Sequence, residues 1–553
     1  MRSAREIVSL IRTVLMEHEE YYEHCRPELK KYKNSYENKF WEDNLYNDGM
    51  IRVETADCFS YVEGFIASLF SRSPAVVVGK DPAMTSGNSD MAREVVNRFL
   101  FEKREQIEIA SRLALIYPNS FLKISPKESE DMLEKVDIRA IPPWEIICDM
   151  DATSWDSQRF CGHVYYLTMA EAKAKFGAKD FSPIAKQDYF DTERNNYYGG
   201  KIDDLPDDYL YIQVVEFYDL SYDKLYFWTP NWKDGEQLLE KIQIPLRTYD
   251  DRPLSPICPL YFARKPERPM QGLSAVARVY DQFYEKNILR TYWANAVRRD
   301  SRQYLYKEGA LDEEALAKVS AGIDGAMVAV DAQSLEGIIK PLDVPAISSN
   351  FDRYLGQIEA DINRGSILAP FSRGEATKAT ATEITALAQY SASEIGKMAR
   401  EKDSSLELLA KVYLRAISLM AEDNEKATIE IDGYPRVITV KDLDAKFKIV
   451  ALDQASTPLS DSIKKNNLVQ MAGTLIQLGV PQKKIKDEII RLFDFPKDFV
   501  EEVEQPPQPE AQQGIPQTPE GDVGQPAGDI GPSGELPAEQ LAQNLLQRRG
   551  GSI

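Results

Sequence analysis

Histidine and cysteine are scarce in this chain, which has three of the former and five of the latter among 553 residues. The histidines are too few for a histidine-rich metal site or a Ser-His-Asp arrangement. His18 and His24 lie in a charged segment, so we expect both on the surface. The cysteines form no C-x-x-C pair, and an odd, dispersed set favours a reducing compartment over a disulfide framework. Neither the Walker motif G-x-x-x-x-G-K-[ST] nor G-x-G-x-x-G occurs, which excludes the common phosphate-cradling loops.

Basic charge is also in deficit. The chain has 67 Lys and Arg residues against 88 Asp and Glu residues, a net charge of −21. An acidic surface repels phosphate, which argues against a sequence-reading DNA clamp but suits a conduit through which DNA slides. No apolar run is long enough to span a membrane, and residues 1–20 lack the apolar core of a signal peptide. We therefore expect a protein made in the cytosol, with no cofactor and no bound metal.

The apolar pattern predicts an α+β protein that is predominantly helical, with several domains. Helices are predicted at 3–40, 57–70, 89–115, 169–176 and 276–304, and short strands at 75–78, 121–124, 136–141, 144–149, 163–167, 209–218, 224–228 and 242–245. Residues 254–262 contain two prolines and predict either an edge strand or an extended connector. Segments 428–431 and 447–450 predict a β-hairpin through Gly433.

The stretch 348–422 is unusual for its helix length. It begins with a helix over 350–364, is interrupted by a polar segment with Pro370 and Gly374, and resumes at the capping box Thr380-Ala-Thr-Glu383. An apolar stripe then continues without proline to about residue 421. At 1.5 Å per residue the second helix would span roughly 60 Å, far more than an ordinary globular helix.

Two segments resemble the portal proteins of tailed bacteriophages, the ring-shaped connectors through which double-stranded DNA enters and leaves the capsid. The sequence Arg-Gly-Glu-Ala-Thr-Lys-Ala-Thr-Ala-Thr-Glu-Ile at 373–384 resembles their tunnel loop and long-helix start. The sequence Arg-Pro-Met-Gln-Gly-Leu-Ser at 268–274, followed by Asp281 and Asn287, is similar to the start of their first stem helix. Pro-Pro-Trp-Glu at 142–145, set between short strands, is similar to their wing domain.

The resemblance implies a portal fold that assembles into a ring with an axial channel, typically a homododecamer, and that has no enzymatic activity. The implied domains are a wing at 1–267 with a β-rich part at 120–262, a first stem helix at 268–306, a clip at 307–347, a second stem helix at 348–364, a tunnel loop at 365–378, a long wing helix with a β-hairpin at 379–458, crown helices at 459–504 and a disordered acidic tail rich in Pro, Gln and Gly at 505–553.

The same resemblance implies three sets of functional residues. The DNA-facing tunnel loop would include Arg364, Ser372, Arg373, Glu375 and Lys378. The end of the first stem helix would carry a basic cluster of Arg290, Arg298, Arg299 and Arg302, which would face either DNA or an acidic neighbouring subunit, or would simply be favourable charge at a helix C-terminus. The clip would dock partners through Lys307, Glu308, Asp312, Glu313 and Lys318.

The implied partners are further copies of the chain, double-stranded DNA contacted without sequence readout, the terminase large subunit, a tail adaptor, and the major capsid and scaffolding proteins. The implied location is one capsid vertex of the virion, after assembly in the host cytoplasm. A portal of this kind would be passive. It would nucleate the capsid, dock the packaging motor, and later hold the tail.

Two alternatives remain open. Ile-Ile-Cys-Asp-Met-Asp at 146–151 ends an apolar strand with Asp149 and Asp151, and with Asp156 these carboxylates would suit a metal-dependent nucleotidyl- or glycosyltransferase. The competing interpretation is a strand end where the aspartates accept backbone hydrogen bonds. The second alternative to a portal is another kind of structural protein, such as an adaptor or a baseplate component.

Overall fold

The architecture is taken from a computed structural model, which describes residues 3–41, 51–71, 73–80, 87–177, 179–185, 188–191, 209–232, 235–300, 304–306, 313–314, 317, 339–341, 350–365, 381–422, 424–431, 434–451 and 471. About half of these residues are helical (49%) and 23% are in strands, a mixed helix and sheet protein. Among them, no helix has the length and apolar character needed to cross a membrane.

The helices are α1 (Ala4–Tyr36), α2 (Asp57–Leu69), α3 (Ser89–Glu102), α4 (Arg104–Ile116), α5 (Met169–Phe176), α6 (Tyr280–Asp300), α7 (Asn350–Gly365), α8 (Ala381–Met420) and α9 (Val440–Leu443). Capping explains several of their starts. Ser3 and Thr168 each form a capping box with the glutamate three residues later, and the Asn88 side chain accepts hydrogen bonds from the first turn of α3. The predicted helix at 169–176 is confirmed.

The strands are β1 (Val76–Lys80), β2 (Ser120–Pro126), β3 (Val136–Ile141), β4 (Ile146–Cys148), β5 (Phe160–Thr168), β6 (Ile184–Ala185), β7 (Leu210–Asp219), β8 (Lys224–Trp228), β9 (Glu240–Gln243), β10 (Ile257–Leu260), β11 (Tyr304–Tyr306), β12 (Ile339–Pro341), β13 (Lys426–Ile431), β14 (Tyr434–Thr439) and β15 (Phe447–Ala451). Every pairing among the described strands is antiparallel.

Two sheets form the β-rich part. One has the strand order β10-β2-β3 and the other β4-β5-β7-β8-β9, with β6 added beside β7. Strand β10 is an edge strand, one of the two structures that its prolines predict, and Pro259 lies opposite Phe121 in the ladder. A proline is tolerated there because an edge strand has one side free of ladder hydrogen bonds. Helix α1 covers the larger sheet through Ile7, Ile11 and Leu15, which share a core with Trp228.

The long helix α8 has 40 residues, as the sequence predicts, and its second half is the spine of the largest core. Its buried side chains Leu406, Leu409, Val412 and Ile417 pack among α2, α3 and the β1-β15 ladder. One charge is buried with them. The Lys402 ammonium group, 1% exposed, donates a hydrogen bond of 2.8 Å to the Leu69 carbonyl oxygen at the end of α2. A cation is favourable there because the C-terminal end of a helix carries partial negative charge.

Three local predictions are wrong. The helix expected over 89–115 is broken at Lys103, whose backbone leaves the helical region and whose ammonium group pairs with Asp137 of β3. The hairpin expected between 428–431 and 447–450 forms instead between β13 and β14, whereas β15 pairs with β1. The helix expected to reach 304 ends at Asp300, and Tyr304–Tyr306 forms a strand paired with β12.

The predicted crown helices at 459–504 and the predicted disordered tail at 505–553 lie outside the described residues, apart from Met471.

Candidate assembly site at the helical hairpin

Helices α6 and α7 pack against each other in an antiparallel hairpin. Trp293, late in α6, lies 5.8 Å between ring centroids from Phe351, early in α7. Nearer the other end, the Tyr354 hydroxyl donates a hydrogen bond to the Glu285 carboxylate. Ile358 and Ile362 of α7 are buried in the main core, so the inner end of the hairpin is anchored in the body of the protein.

Strands β11 and β12 bracket the chain that connects the two helices. Tyr304 lies opposite Pro341, and Tyr306 lies opposite Ile339. The chain therefore leaves α6 and returns toward α7 through a closed antiparallel pair. Residues 307–338, between these strands, fall within the segment 307–347 that the sequence predicts as the clip.

The start of α6 is fixed by the end of α4. The Ser274 hydroxyl donates a hydrogen bond of 2.7 Å to the Ile116 carbonyl oxygen, and the Ala275 amide donates one of 2.9 Å to Leu115. These bonds satisfy carbonyl groups that a helix C-terminus leaves open. Gly272 is required because a Cβ atom there would lie 1.5 Å from the Pro118 carbonyl oxygen. The Gln-Gly-Leu-Ser segment thus sets the direction in which the hairpin leaves the body.

A row of polar side chains on α6 holds an extended segment, 51–55, along the helix. Thr55, Val53 and Ile51 donate backbone hydrogen bonds of 2.8–2.9 Å to the side chains of Asn287, Thr291 and Asn295. Steps of four residues along a helix advance 6.0 Å, close to the roughly 6.7 Å covered by two residues of a strand. The match of the two repeats explains why every second backbone amide finds a partner. We call this row the polar ladder.

The ladder side chains also satisfy the carbonyl groups of the extended segment. The Asn295 amide nitrogen donates to Ile51 O at 2.7 Å, and the Thr291 hydroxyl donates to Val53 O at 3.3 Å. Asn287, Thr291 and Asn295 are all buried. Buried polar groups are tolerated because they are hydrogen bonded. The ladder therefore joins the helix and the extended segment through directional hydrogen bonds rather than through apolar packing.

Lys286 sits between the body and the hairpin. Its ammonium group lies 3.0 Å from the Asp57 carboxylate at the start of α2 and 3.3 Å from the Glu359 carboxylate of α7. The lysine side chain is 10% exposed. One buried cation therefore ties together the N-terminus of α2, α6 and α7.

Large apolar side chains on the hairpin remain open to solvent. Tyr292 is 63% exposed and Val297 is 51% exposed, both on α6. Tyr284, Trp293 and Tyr354 are also exposed by more than a third. A contiguous apolar patch is typical of protein contacts, and these five side chains are the candidates for one on the hairpin. We refer to Tyr284, Tyr292, Trp293, Val297 and Tyr354 as the exposed stem face.

The structure describes only part of the predicted site residues. Arg290 and Arg298 lie on α6, where Arg290 is half-buried and Arg298 is exposed, and Arg299 lies in the last turn of the same helix. Glu313 is exposed, and Arg364 lies in the last turn of α7. The other predicted residues lie outside the described residues: Arg302, Ser372, Arg373, Glu375, Lys378, Lys307, Glu308, Asp312 and Lys318.

The aspartates of the transferase alternative do not converge. Asp149 is buried, and Arg159 holds its carboxylate with two hydrogen bonds, one of 2.9 Å from Nη2. That pairing lowers the pKa of the Asp149 carboxyl group, while the Asp151 amide donates to the same carboxylate at 3.3 Å. The side chain of Asp151 is 93% exposed, and Asp156 is exposed. Over the described residues, no three His, Cys, Asp or Glu side chains are grouped to hold a metal ion.

The prediction that His18 is a surface residue is wrong, whereas His24 is exposed as expected. His18 is 8% exposed, and its Nε2 atom lies 2.9 Å from the Trp144 carbonyl oxygen. Burial lowers the pKa of His18 to about 4, against the smaller opposing effect of that hydrogen bond. The residue is therefore a neutral donor that joins α1 to the turn before β4.

Sequence reasoning missed the polar ladder and the Lys286 ion pairs. A signal for the ladder is present in the sequence. Asn287, Thr291 and Asn295 repeat every four residues within a helix whose other faces are mixed, and asparagine and threonine are poor choices for a purely solvated helix. Nothing in the sequence identifies Ile51, Val53 and Thr55 as their partners.

A comparison with models of known protein families finds no match to the chain, and a comparison with curated protein sequences finds no significant match either.

Proposed function

We propose that this chain is the portal subunit of a tailed bacteriophage, a structural protein that forms a ring at one capsid vertex and conducts double-stranded DNA. The observation that carries the proposal is the order of three elements. An antiparallel helical hairpin has a strand-bracketed excursion at its outer end, and a helix of 40 residues follows it. That order is the stem, clip, stem and long wing helix that the sequence resemblance implies.

The exposed stem face supports assembly. A projecting hairpin with tyrosine, tryptophan and valine side chains in water is unfavourable for an isolated subunit, because burial of such side chains contributes about 1.5–3 kcal/mol each. A closed ring repeats the same contact around an axis, so each stem would cover its neighbour. The ladder and the Lys286 pairs would then hold each stem at a constant angle to its wing.

The charge pattern supports a passive channel. The net charge of −21 disfavours tight retention of DNA, while arginines at the ends of α6 and α7 would become rings of positive charge in a symmetric assembly. Contacts of this kind reach phosphates without reading bases. The packaging motor, the tail adaptor and the capsid proteins would dock on the outer parts of the ring.

Replacement of the predicted tunnel loop tests the functional assignment. Residues 365–377 are either deleted or replaced by the same number of Gly and Ser residues in a phage that carries the gene. The deletion should leave ring formation intact and reduce packaged or retained DNA, and the Gly/Ser replacement should separate loop chemistry from loop length. Wild-type packaging by both variants would remove the role assigned to this loop.

A further inference from the structure

A cleft of about 780 Å³ opens between the two sheets and the last turn of α8, away from the helical hairpin. Strand β2 contributes Lys123 and strand β3 contributes Arg139, while β5 and β8 contribute Tyr165 and Phe227. Leu419 of α8 lies on the opposite wall and is 48% exposed. The volume is in the range of small-molecule sites, and the lining combines apolar walls with a few charged groups, as such sites usually do.

Two cations lie opposite each other in one ladder of this cleft. Lys123 and Arg139 are direct register partners on β2 and β3, so both side chains leave the same face of the sheet. Like charges at directly opposed positions destabilise a strand pair. This pair of basic residues is a local exception to that rule, in a chain with 88 acidic residues.

The charge of Lys123 is neutralised inside the protein. Its ammonium group donates a hydrogen bond of 2.8 Å to Glu216, whose other oxygen accepts from the Tyr218 hydroxyl. The same ammonium group lies 3.1 Å from His163 Nδ1. Burial, and then the positive charges of Lys123 and Arg139, hold the pKa of His163 well below its usual value, so the ring is a neutral acceptor. The floor of the cleft is thus a hydrogen-bonded network around the Lys123 ammonium group.

Two of the three carboxylates that line the cleft hold other groups through hydrogen bonds. Glu216 is held by Lys123, and Glu171 accepts two hydrogen bonds of 2.8 Å from Thr168 at the start of α5. Glu145 lies 3.7 Å from His163 Nε2. Over the described residues, none of these carboxylates forms an ion pair with the two cations at the mouth of the cleft.

Arg139 and Lys175 are those cations. Both are exposed, and among the described residues neither forms an ion pair. The Lys175 ammonium group lies 4.7 Å from the Phe227 ring centroid and 3.3 Å from the Tyr165 hydroxyl, which fixes it at the cleft rather than in bulk solvent. Two positive charges that have no ion-pair partner among the described residues therefore border a cleft with apolar walls, in a strongly acidic protein.

We propose that this cleft binds a small anionic ligand with an apolar body, of the carboxylate or phosphate monoester class. The anionic group would be held by Arg139 and Lys175 through charge-assisted hydrogen bonds, which are stronger and more directional than neutral ones. The apolar body would lie between Phe227 and Leu419. The proposal does not depend on the portal assignment, because none of these residues belongs to the helical hairpin.

The test is calorimetric titration of the full-length protein with 1-naphthoate, 1-naphthyl phosphate and the neutral analogue 1-naphthalenemethanol. At least one anion should bind tenfold or more tightly than the alcohol, and the tighter of the two assigns the anionic group. Arg139→Gln and Lys175→Gln should each weaken the preferred anion by about tenfold and leave the alcohol unchanged. Lys173→Gln, an exposed neighbour on α5 outside the cleft, is the matched control.

Arg139→Gln removes a like-charge repulsion, so this variant should be at least as stable as the wild type and its loss of binding is not a loss of fold. Lys175→Gln changes an exposed side chain and serves as the second variant. Equal affinity for the anions and the alcohol would overturn the proposal. Equal weakening by Lys173→Gln, or no binding of any of the three probes, would overturn it as well.

Discussion

The side-chain amide of Asn295 hydrogen bonds both backbone groups of Ile51, accepting from its N–H at 2.8 Å and donating to its C=O at 2.7 Å. A single side chain thereby takes the place of a strand partner. Together with Thr291 and Asn287, it joins two segments separated by more than 230 residues in sequence. This link fixes α6 to the extended segment 51–55 that precedes α2.

Asn295→Ala should destabilise the protein by about 2 kcal/mol, because it removes a buried side chain together with both of its hydrogen bonds to the Ile51 backbone. Chemical denaturation measures the loss. Tyr292→Phe, which removes only a solvent-exposed hydroxyl group from the same helix, is the control and should be neutral. A loss in Asn295→Ala no larger than that of the control would show that the ladder does not contribute to stability.

Lys286→Met should cost about 3 kcal/mol, since it leaves the Asp57 carboxylate near a buried position without its cation. Glu359→Gln should cost less than about 1 kcal/mol, because that carboxylate is half exposed and screened by water. The free energies of unfolding of the two variants, measured in the same buffer, test whether Lys286→Met is the more destabilising. A larger effect from Glu359→Gln would mean that the link to α7 matters more than the link to α2.

Acid should weaken the fold through His18. Its pKa is lowered from 6.5 to about 4 in the folded protein, so below pH 6.5 the unfolded chain binds a proton that the folded chain refuses. The free energy of unfolding therefore falls as the pH drops from about 6.5 to 4, by about 3 kcal/mol from this residue. His18→Gln should flatten that part of the stability curve.

His24→Gln, an exposed position on the same helix, is the control for His18→Gln and should keep the wild-type slope. Carboxylates with lowered pKa values, such as Asp149, also lose their stabilising contribution as the pH falls. The difference between the two histidine variants, rather than the absolute slope, therefore isolates the effect of His18. Parallel curves for the two variants would contradict the prediction.

The exposed stem face should be a contact between subunits. Val297→Asp places a charge in that contact, so it should shift the assembled protein toward smaller species in a sedimentation or mass measurement. Tyr222→Asp, at a position 51% exposed in the turn between β7 and β8, is the control. Intact assembly in Val297→Asp and loss of assembly in Tyr222→Asp would place the interface elsewhere.

Local sequence patterns predict much of the fold. Thr168 and Glu171 predict the start of α5 because a capping box is complete within four residues, and the apolar stripe from Ile395 to Ile417 predicts the second half of α8. The break at Lys103 has no such signal, since Glu102, Lys103 and Arg104 all favour helix. It depends on the Asp137 pairing and on packing against β3.

Long-range pairing was the part that sequence could not supply. The sequence predicts a hairpin through Gly433 with its second strand at 447–450, whereas the structure pairs β13 with β14. The cleft could not be predicted from the sequence either, because it also depends on long-range strand pairing. Lys123 and Arg139 are 16 residues apart, and only the register of β2 and β3 shows that they face each other.

Electron microscopy of the purified full-length protein tests the central claim most directly. The proposed portal assignment predicts closed rings with an axial channel, in which the α6-α7 hairpin of each subunit packs beside that of its neighbour. A strictly monomeric particle at high protein concentration, or an open filament without a channel, would contradict it.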